Sequence, residues 1–148
     1  MRAYPDTSFL FSLYAPQVHS PISAAYFAAM KEPLHLTSLN RFELVNAIQL
    51  ALFRKTIARR AGLGALEKLA ANIDSGALVI VPCDWAAVHG RALQIALHHT
   101  GCGGYRGFDI LHVATALELG AKEFLTFDAT QTQLAKAMGL KVNFATTL

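Results

Sequence analysis

The chain has 148 residues, 53% of them hydrophobic and 16% charged, with 13 Lys and Arg against 10 Asp and Glu and a formal charge of +3. That length suits one compact domain, 1–148, and so apolar a composition excludes intrinsic disorder, because burial offsets the entropy of ordering. No apolar run approaches the roughly 18–20 residues of a spanning helix: Leu44 to Phe53 contains Asn46 and Gln49, and Ala77 to Val81 ends at Pro82.

The opening residues show no apolar stretch followed by a small-residue cleavage site, and Cys83 and Cys102 form no disulfide ladder. We therefore expect a cytoplasmic protein with reduced thiols and no membrane partner. The mild basic excess suits a polyanion.

In chain order, Arg2 to Pro5 reads as a short strand, followed at once by Asp6 and by a helix from Ser8 to Tyr14. Ser20-Pro21 opens a helix through about Met30, with Pro at its first turn. Leu34 to Thr37 is a second strand, and Ser38 caps a long amphipathic helix expected to reach the basic stretch Arg54 to Arg60. Gly62 and Gly64 punctuate the chain before another helix that runs to about Asp74. Leu78 to Val81 is β-branched and apolar, as in a central parallel strand. Asp84 caps a helix from Trp85 to about His98, and a glycine loop, Gly101 to Gly104, leads to a helix over Phe108 to Leu119. Glu123 to Phe127 is a strand, Thr130 to Met138 a helix, and Lys141 to Phe144 a last strand. Short strands alternating with helices predict a three-layer α/β/α sandwich on a central parallel sheet. Ligands in such folds collect beyond the carboxyl ends of the strands.

Four acids stand out at those positions. Asp6 and Asp128 directly follow strands, while Glu43 and Asp109 lie near the starts of helices, each among apolar neighbours. Taken singly, Asp6 and Asp128 could be caps, and Glu43 and Asp109 helix-surface acids. Together they project toward one sheet edge with few cations nearby, chiefly Arg41 and Arg106. Converging carboxylates repel unless neutralised, and an all-oxygen acidic site suits Mg²⁺ or Mn²⁺. Setting the four aside as a metal cluster leaves the rest of the chain more basic than +3 suggests. A negative pit on a positive body suits metal-dependent cleavage of a nucleic-acid backbone.

Asp6-Thr7-Ser8 after a strand, Ser38 to Ala47 around Glu43, Phe108-Asp109-Ile110-Leu111-His112-Val113-Ala114-Thr115-Ala116, and Phe124-Leu125-Thr126-Phe127-Asp128 occur in order and span nearly the whole chain. In these motifs the sequence resembles the PIN-domain ribonucleases, and among them the VapC-type toxins of toxin–antitoxin pairs. The resemblance implies a PIN-like sandwich and a Mg²⁺- or Mn²⁺-dependent endoribonuclease, the toxin of a type II system neutralised by a VapB-type antitoxin. It implies that Asp6, Glu43, Asp109 and Asp128 form the acidic quartet, with Asp6, Asp109 and Asp128 as metal ligands. Glu43 would anchor a water or act as general base, and Thr7 or Ser8 and Thr126 match accessory hydroxyl positions. Pro5, directly before Asp6, departs from the aliphatic residue usual there and removes a ladder N–H.

Arg106, three residues before Asp109, is a candidate phosphate contact, with a salt bridge to the acidic cluster as its alternative. The basic run Arg54, Lys55, Arg59 and Arg60 could track an RNA backbone or simply be a solvated helix end. His112 shares a helical face with Asp109. With His98, His99 and Cys102 it permits a zinc reading, but no metal-ligand spacing supports one, and a hydrogen-bonded core histidine is the expected role. The glycine loop lacks a P-loop ending, and Trp85 reads as packing. Phe9, Leu10, Phe11, Leu13, Tyr14, Tyr26 and Phe27 exceed what two short helices need for one core, which suggests a homodimer or an antitoxin groove. The competing reading is a catalytically silent binding module on the same fold. An aspartyl-phosphate phosphatase is set aside because Ser8 stands where its second Asp should be.

Overall fold

Short strands alternate with helices from the third residue of the computed structural model, which describes residues 1–144. The domain expected over 1–148 extends past them; residues 145–148 lie outside the described residues. The elements are β1 (Ala3–Pro5), α1 (Thr7–Tyr14), α2 (Ser20–Ala29), β2 (Leu34–Leu36), α3 (Ser38–Phe53), α4 (Arg59–Asp74), β3 (Leu78–Ile80) and α5 (Trp85–Ile95). A π-helical turn (Ala96–Thr100), α6 (Gly101–Gly103), α7 (Gly107–Glu118), β4 (Glu123–Leu125) and α8 (Ala129–Ala137) follow. The expected parallel pairing is present, as two two-stranded ladders, β1 with β4 and β2 with β3. The described chain divides into two compact units, Met1–Asp6 with the chain from Pro82 onward, and Thr7–Val81.

In the first unit, Ala3, Tyr4 and Pro5 of β1 lie opposite Glu123, Phe124 and Leu125 of β4. The ladder continues past β1, since the Asp6 N–H donates to the Leu125 carbonyl at 2.9 Å. Backbone groups alternate sides along a strand, so the position where Pro5 lacks its N–H faces away from β4. The proline therefore costs this ladder nothing. Tyr4, Val88, Ile95, Val113, Phe124 and Leu134 anchor the core of this unit, bringing β1, α5, α7, β4 and α8 together. The last strand, expected over Lys141 to Phe144, is a single parallel bridge from Lys141 to Glu123.

In the second unit, Phe9, Leu10 and Leu13 of α1, Leu34 and Leu36 of β2, Leu44 and Ile48 of α3 and Leu69 of α4 are buried. Phe9 meets Tyr26 edge-on at 5.7 Å. Asn72 donates to the Tyr14 hydroxyl oxygen at 2.7 Å, and burial pushes the Tyr14 phenol above its ordinary pKa against the opposing effect of that bond.

Several boundaries differ from expectation. Thr37, not Ser38, precedes the first turn of α3, and its N–H and hydroxyl both donate to Asn40 Oδ1 at 2.7 Å. The long helix does not reach Arg60: α3 ends at Phe53 and a new helix starts at Arg59. The break is made by Lys55 at φ +56°, which lets the Thr56 N–H reach back to the Ala51 carbonyl at 3.0 Å. Gly62 and Gly64 lie inside α4 rather than punctuating it, and a Cβ on Gly62 would fall 2.5 Å from Leu52 Cδ2. Glycine is there for the close approach of α3 and α4. The expected glycine loop is mostly helical, ending at Gly104 with φ +67°. Of the aromatic and aliphatic set read as surplus, Phe9, Leu10, Leu13 and Tyr14 are core, and Phe11, Tyr26 and Phe27 are half-buried. Exposed apolar side chains fall instead at positions such as Phe42, Phe53, Leu97 and Phe108. No helix among the described residues is long and apolar enough to cross a membrane.

Candidate active site

Three of the four singled-out acids belong to the first unit. Asp6 leaves the carboxyl end of β1 and is only 1% exposed. The Thr126 hydroxyl donates to Asp6 Oδ2 at 2.6 Å, and the Thr126 oxygen accepts from the Asp128 N–H at 3.0 Å. One side chain from the end of β4 thus steadies the carboxylate after β1 and the backbone that starts the next helix. Asp128 caps α8 through Oδ1, which accepts from the Gln131 N–H at 2.8 Å. That leaves Oδ2 as the oxygen it can offer a ligand.

Asp109 sits in the first turn of α7 and is buried, at 8% exposure. The helix dipole favours a carboxylate there. Arg106 Nε donates to Asp109 Oδ2 at 3.3 Å, while the Arg106 side chain remains 80% exposed. Arg106 thus makes the salt bridge considered as the alternative to a phosphate contact, and its exposure leaves the guanidinium reachable from solvent.

In the second unit, the Thr7 hydroxyl donates to Glu43 Oε2 at 2.6 Å. Thr7 thus engages an acid, and Ser8 is half-buried beside it in the chain. Arg54, Lys55, Arg59 and Arg60 are exposed. Lys55 and Arg59 rim an open hollow of about 790 Å³ whose walls include Phe53, Ile57 and Leu63.

The donor chemistry of Asp6, Asp109 and Asp128 is all carboxylate oxygen, which fits Mg²⁺ or Mn²⁺ rather than a soft metal. Among the described residues, no group of three or more His, Cys, Asp or Glu side chains is close enough to hold a metal ion. Mg²⁺ commonly takes one or two carboxylates and keeps several waters, so buried Asp6 and Asp109 fit it by the chemistry of their donors. The zinc reading gains nothing: His98 Nδ1 is 2.7 Å from the Gln94 carbonyl oxygen, and Cys102 is exposed. Burial, with the carboxylates of Glu118 and Asp84, pushes the Cys83 thiol up, away from the nucleophilic thiolate.

His112 is buried, as expected of a core histidine, and its Nδ1 lies 2.9 Å from the Tyr4 hydroxyl. Sequence reasoning passed over Tyr4, Asn40 and Glu123. Tyr4 reads as one more strand aromatic, and only its position two residues before Asp6 hinted at more. Glu123 is buried and accepts from Asn143 Nδ2.

Residues 3–137 match the family model described as PIN domain. No curated protein matches the chain. Among solved structures, the crystal structure of Mycobacterium tuberculosis VapC20, a sarcin-ricin loop cleaving toxin, is similar with a TM-score of 0.67 at 18% identity. The match covers 94% of this chain and 96% of VapC20, and it shows a shared fold.

Proposed function

Since the chain belongs to the PIN-domain family, we propose that it is a metal-dependent endoribonuclease of the VapC type, the toxin of a toxin–antitoxin pair. The observation that carries this reading is Asp6, buried at the end of β1 and held by the Thr126 hydroxyl at 2.6 Å, in the same unit as buried Asp109. Burying two carboxylates in one small unit is costly even where each has a partner, and so needs a reason. Binding a hard cation supplies one.

In this proposal Asp6 and Asp109 are the first ligands, and Asp128 Oδ2 holds the metal through a water. Bound there, Mg²⁺ or Mn²⁺ would supply Lewis-acid stabilisation of charge on the attacked phosphodiester. Glu43, with Oε2 accepting from Thr7, would hold an attacking water or take its proton. Thr126 and Thr7 fix the rotamers of the acids they touch. Arg106 would meet an RNA phosphate, with Arg54, Lys55, Arg59 and Arg60 as a second set of backbone contacts. The protein partners proposed are a VapB-type antitoxin and a second copy of the chain.

The test is to map RNA 5′ ends after induction of wild type and of Asp109→Asn, and to offer the purified proteins a sarcin–ricin loop RNA with Mn²⁺. Discrete cuts made by wild type alone are expected. Identical maps would remove the nuclease reading. The second reading, a binding module, is favoured by the Arg106–Asp109 ion pair, which gives Asp109 a cation from its own chain. Calorimetry with Mn²⁺ separates the two, because a module would show no metal uptake.

A further inference from the structure

Resting on that reading, we propose that Tyr4 and His112 are a positioning pair that locks β1 to α7 and thereby sets the spacing of Asp6 and Asp109. Tyr4 is fully buried, with its hydroxyl 2.9 Å from His112 Nδ1; His112 is 1% exposed. The two lie 108 residues apart in sequence. The Tyr4 ring also stacks on Phe124 of β4 at 5.7 Å and 20°, and meets the His112 ring at 5.8 Å and 57°.

Tyr4 belongs to an apolar core with Val113, Ala116 and Leu134. Two apolar residues of the same shape would hold such a core as well, since replacing both partners of a buried hydrogen bond is often neutral. What an apolar pair lacks is direction. A hydrogen bond fixes two groups to within a few tenths of an ångström, the tolerance a catalytic constellation needs (roughly 0.5 Å).

The register gives that bond its consequence. Residues two apart share one side of a strand, so Tyr4 and Asp6 face the same way from β1 and its continuation. On β4 the same alternation sets Phe124 and Thr126 on one side, and the two strands present a Tyr4–Phe124 stack followed by an Asp6–Thr126 hydrogen bond. Residues three apart share one face of a helix, so His112 and Asp109 are neighbours on α7. The Tyr4–His112 bond therefore joins the strand one side-chain step before Asp6 to the helix one turn after Asp109. Neither residue touches substrate in this scheme; both act through the acids.

The experiment is a double-mutant cycle of Tyr4→Phe and His112→Leu in the full chain, with His112→Asn as the conservative variant that keeps a polar atom near Nδ1. Mn²⁺ affinity is read by calorimetry without RNA, and kcat and KM are read separately with RNA. Each single substitution is expected to weaken Mn²⁺ binding and lower kcat by about 10-fold, the usual scale for residues behind a ligand, with KM unchanged. The double variant should be no worse than either single one, and His112→Asn should recover most of the loss. Ile95→Ala, in the same core but outside the pair, should lower the melting temperature and leave Mn²⁺ affinity unchanged. Mn²⁺ affinity and kcat of Tyr4→Phe within twofold of wild type would overturn the proposal. So would an Ile95→Ala loss of Mn²⁺ affinity equal to that of Tyr4→Phe, which would mark a general stability effect. A wild type that neither binds Mn²⁺ nor cuts RNA would defeat the nuclease reading itself and the pair with it.

Discussion

The Thr126 hydroxyl donates to Asp6 Oδ2 at 2.6 Å across 120 residues of sequence. Both residues are buried, so the bond is a charge-assisted contact shielded from water. Thr126→Val keeps the shape and removes the donor, leaving the carboxylate one partner short. We expect it to cost about 1–3 kcal/mol of stability in urea denaturation and to depress cleavage, while Thr126→Ser retains both.

Arg106 gives the opposite pattern. Its side chain is 80% exposed although Asp109 beside it is not, so solvent screens the pair. Arg106→Gln should leave stability within about 0.5 kcal/mol of wild type. If the guanidinium meets a phosphate, RNA affinity should fall and the slope of log K against log salt should become shallower by about one unit. A labelled RNA titrated at several salt concentrations reads both.

The junction of α3 and α4 carries two backbone signals. Gly62→Ala puts a methyl 2.5 Å from Leu52 Cδ2 and should destabilise by about 1–3 kcal/mol. Lys55→Gly relieves a side chain from φ +56° and should stabilise by about 0.5–1 kcal/mol. Thermal melts of the two variants should move in opposite directions.

Tyr14 sets an alkaline limit. Burial raises its phenol pKa in the folded state, so the neutral form's contribution is complete below about pH 10 and is lost as pH rises through the higher folded value. Wild-type stability should therefore decline above pH 10, and Tyr14→Phe should flatten that decline in denaturant melts taken across pH 9–11.

Strand–acid and cap signals were legible because they are local. Asp6 and Thr126 at strand ends and Asp84 and Asp128 as caps follow from residues within a few positions of one another, and the parallel pairing from the alternation of strands and helices along the chain. What failed to show was set by tertiary approach. The end of α3 depends on Lys55 taking a left-handed conformation usually left to glycine, and Gly62 is needed only because Leu52 lies against it. The short helix over Gly101–Gly103 runs through glycines that propensity alone would make a loop. Tyr4 and His112 are ordinary core residues until the register of β1 on β4 is known.

The chain leaves the first unit after Asp6 and returns to it at Pro82. β1 is thus made early but cannot pair until β4 follows, and Thr126 is added 120 residues after Asp6. At the usual ribosomal pace of roughly 5–20 residues per second, that delay is on the order of 6–24 s. Through that interval the emerging polypeptide has the first carboxylate but not the strand that orients it. On the proposed nuclease reading, the site cannot be complete until Thr126 has joined Asp6.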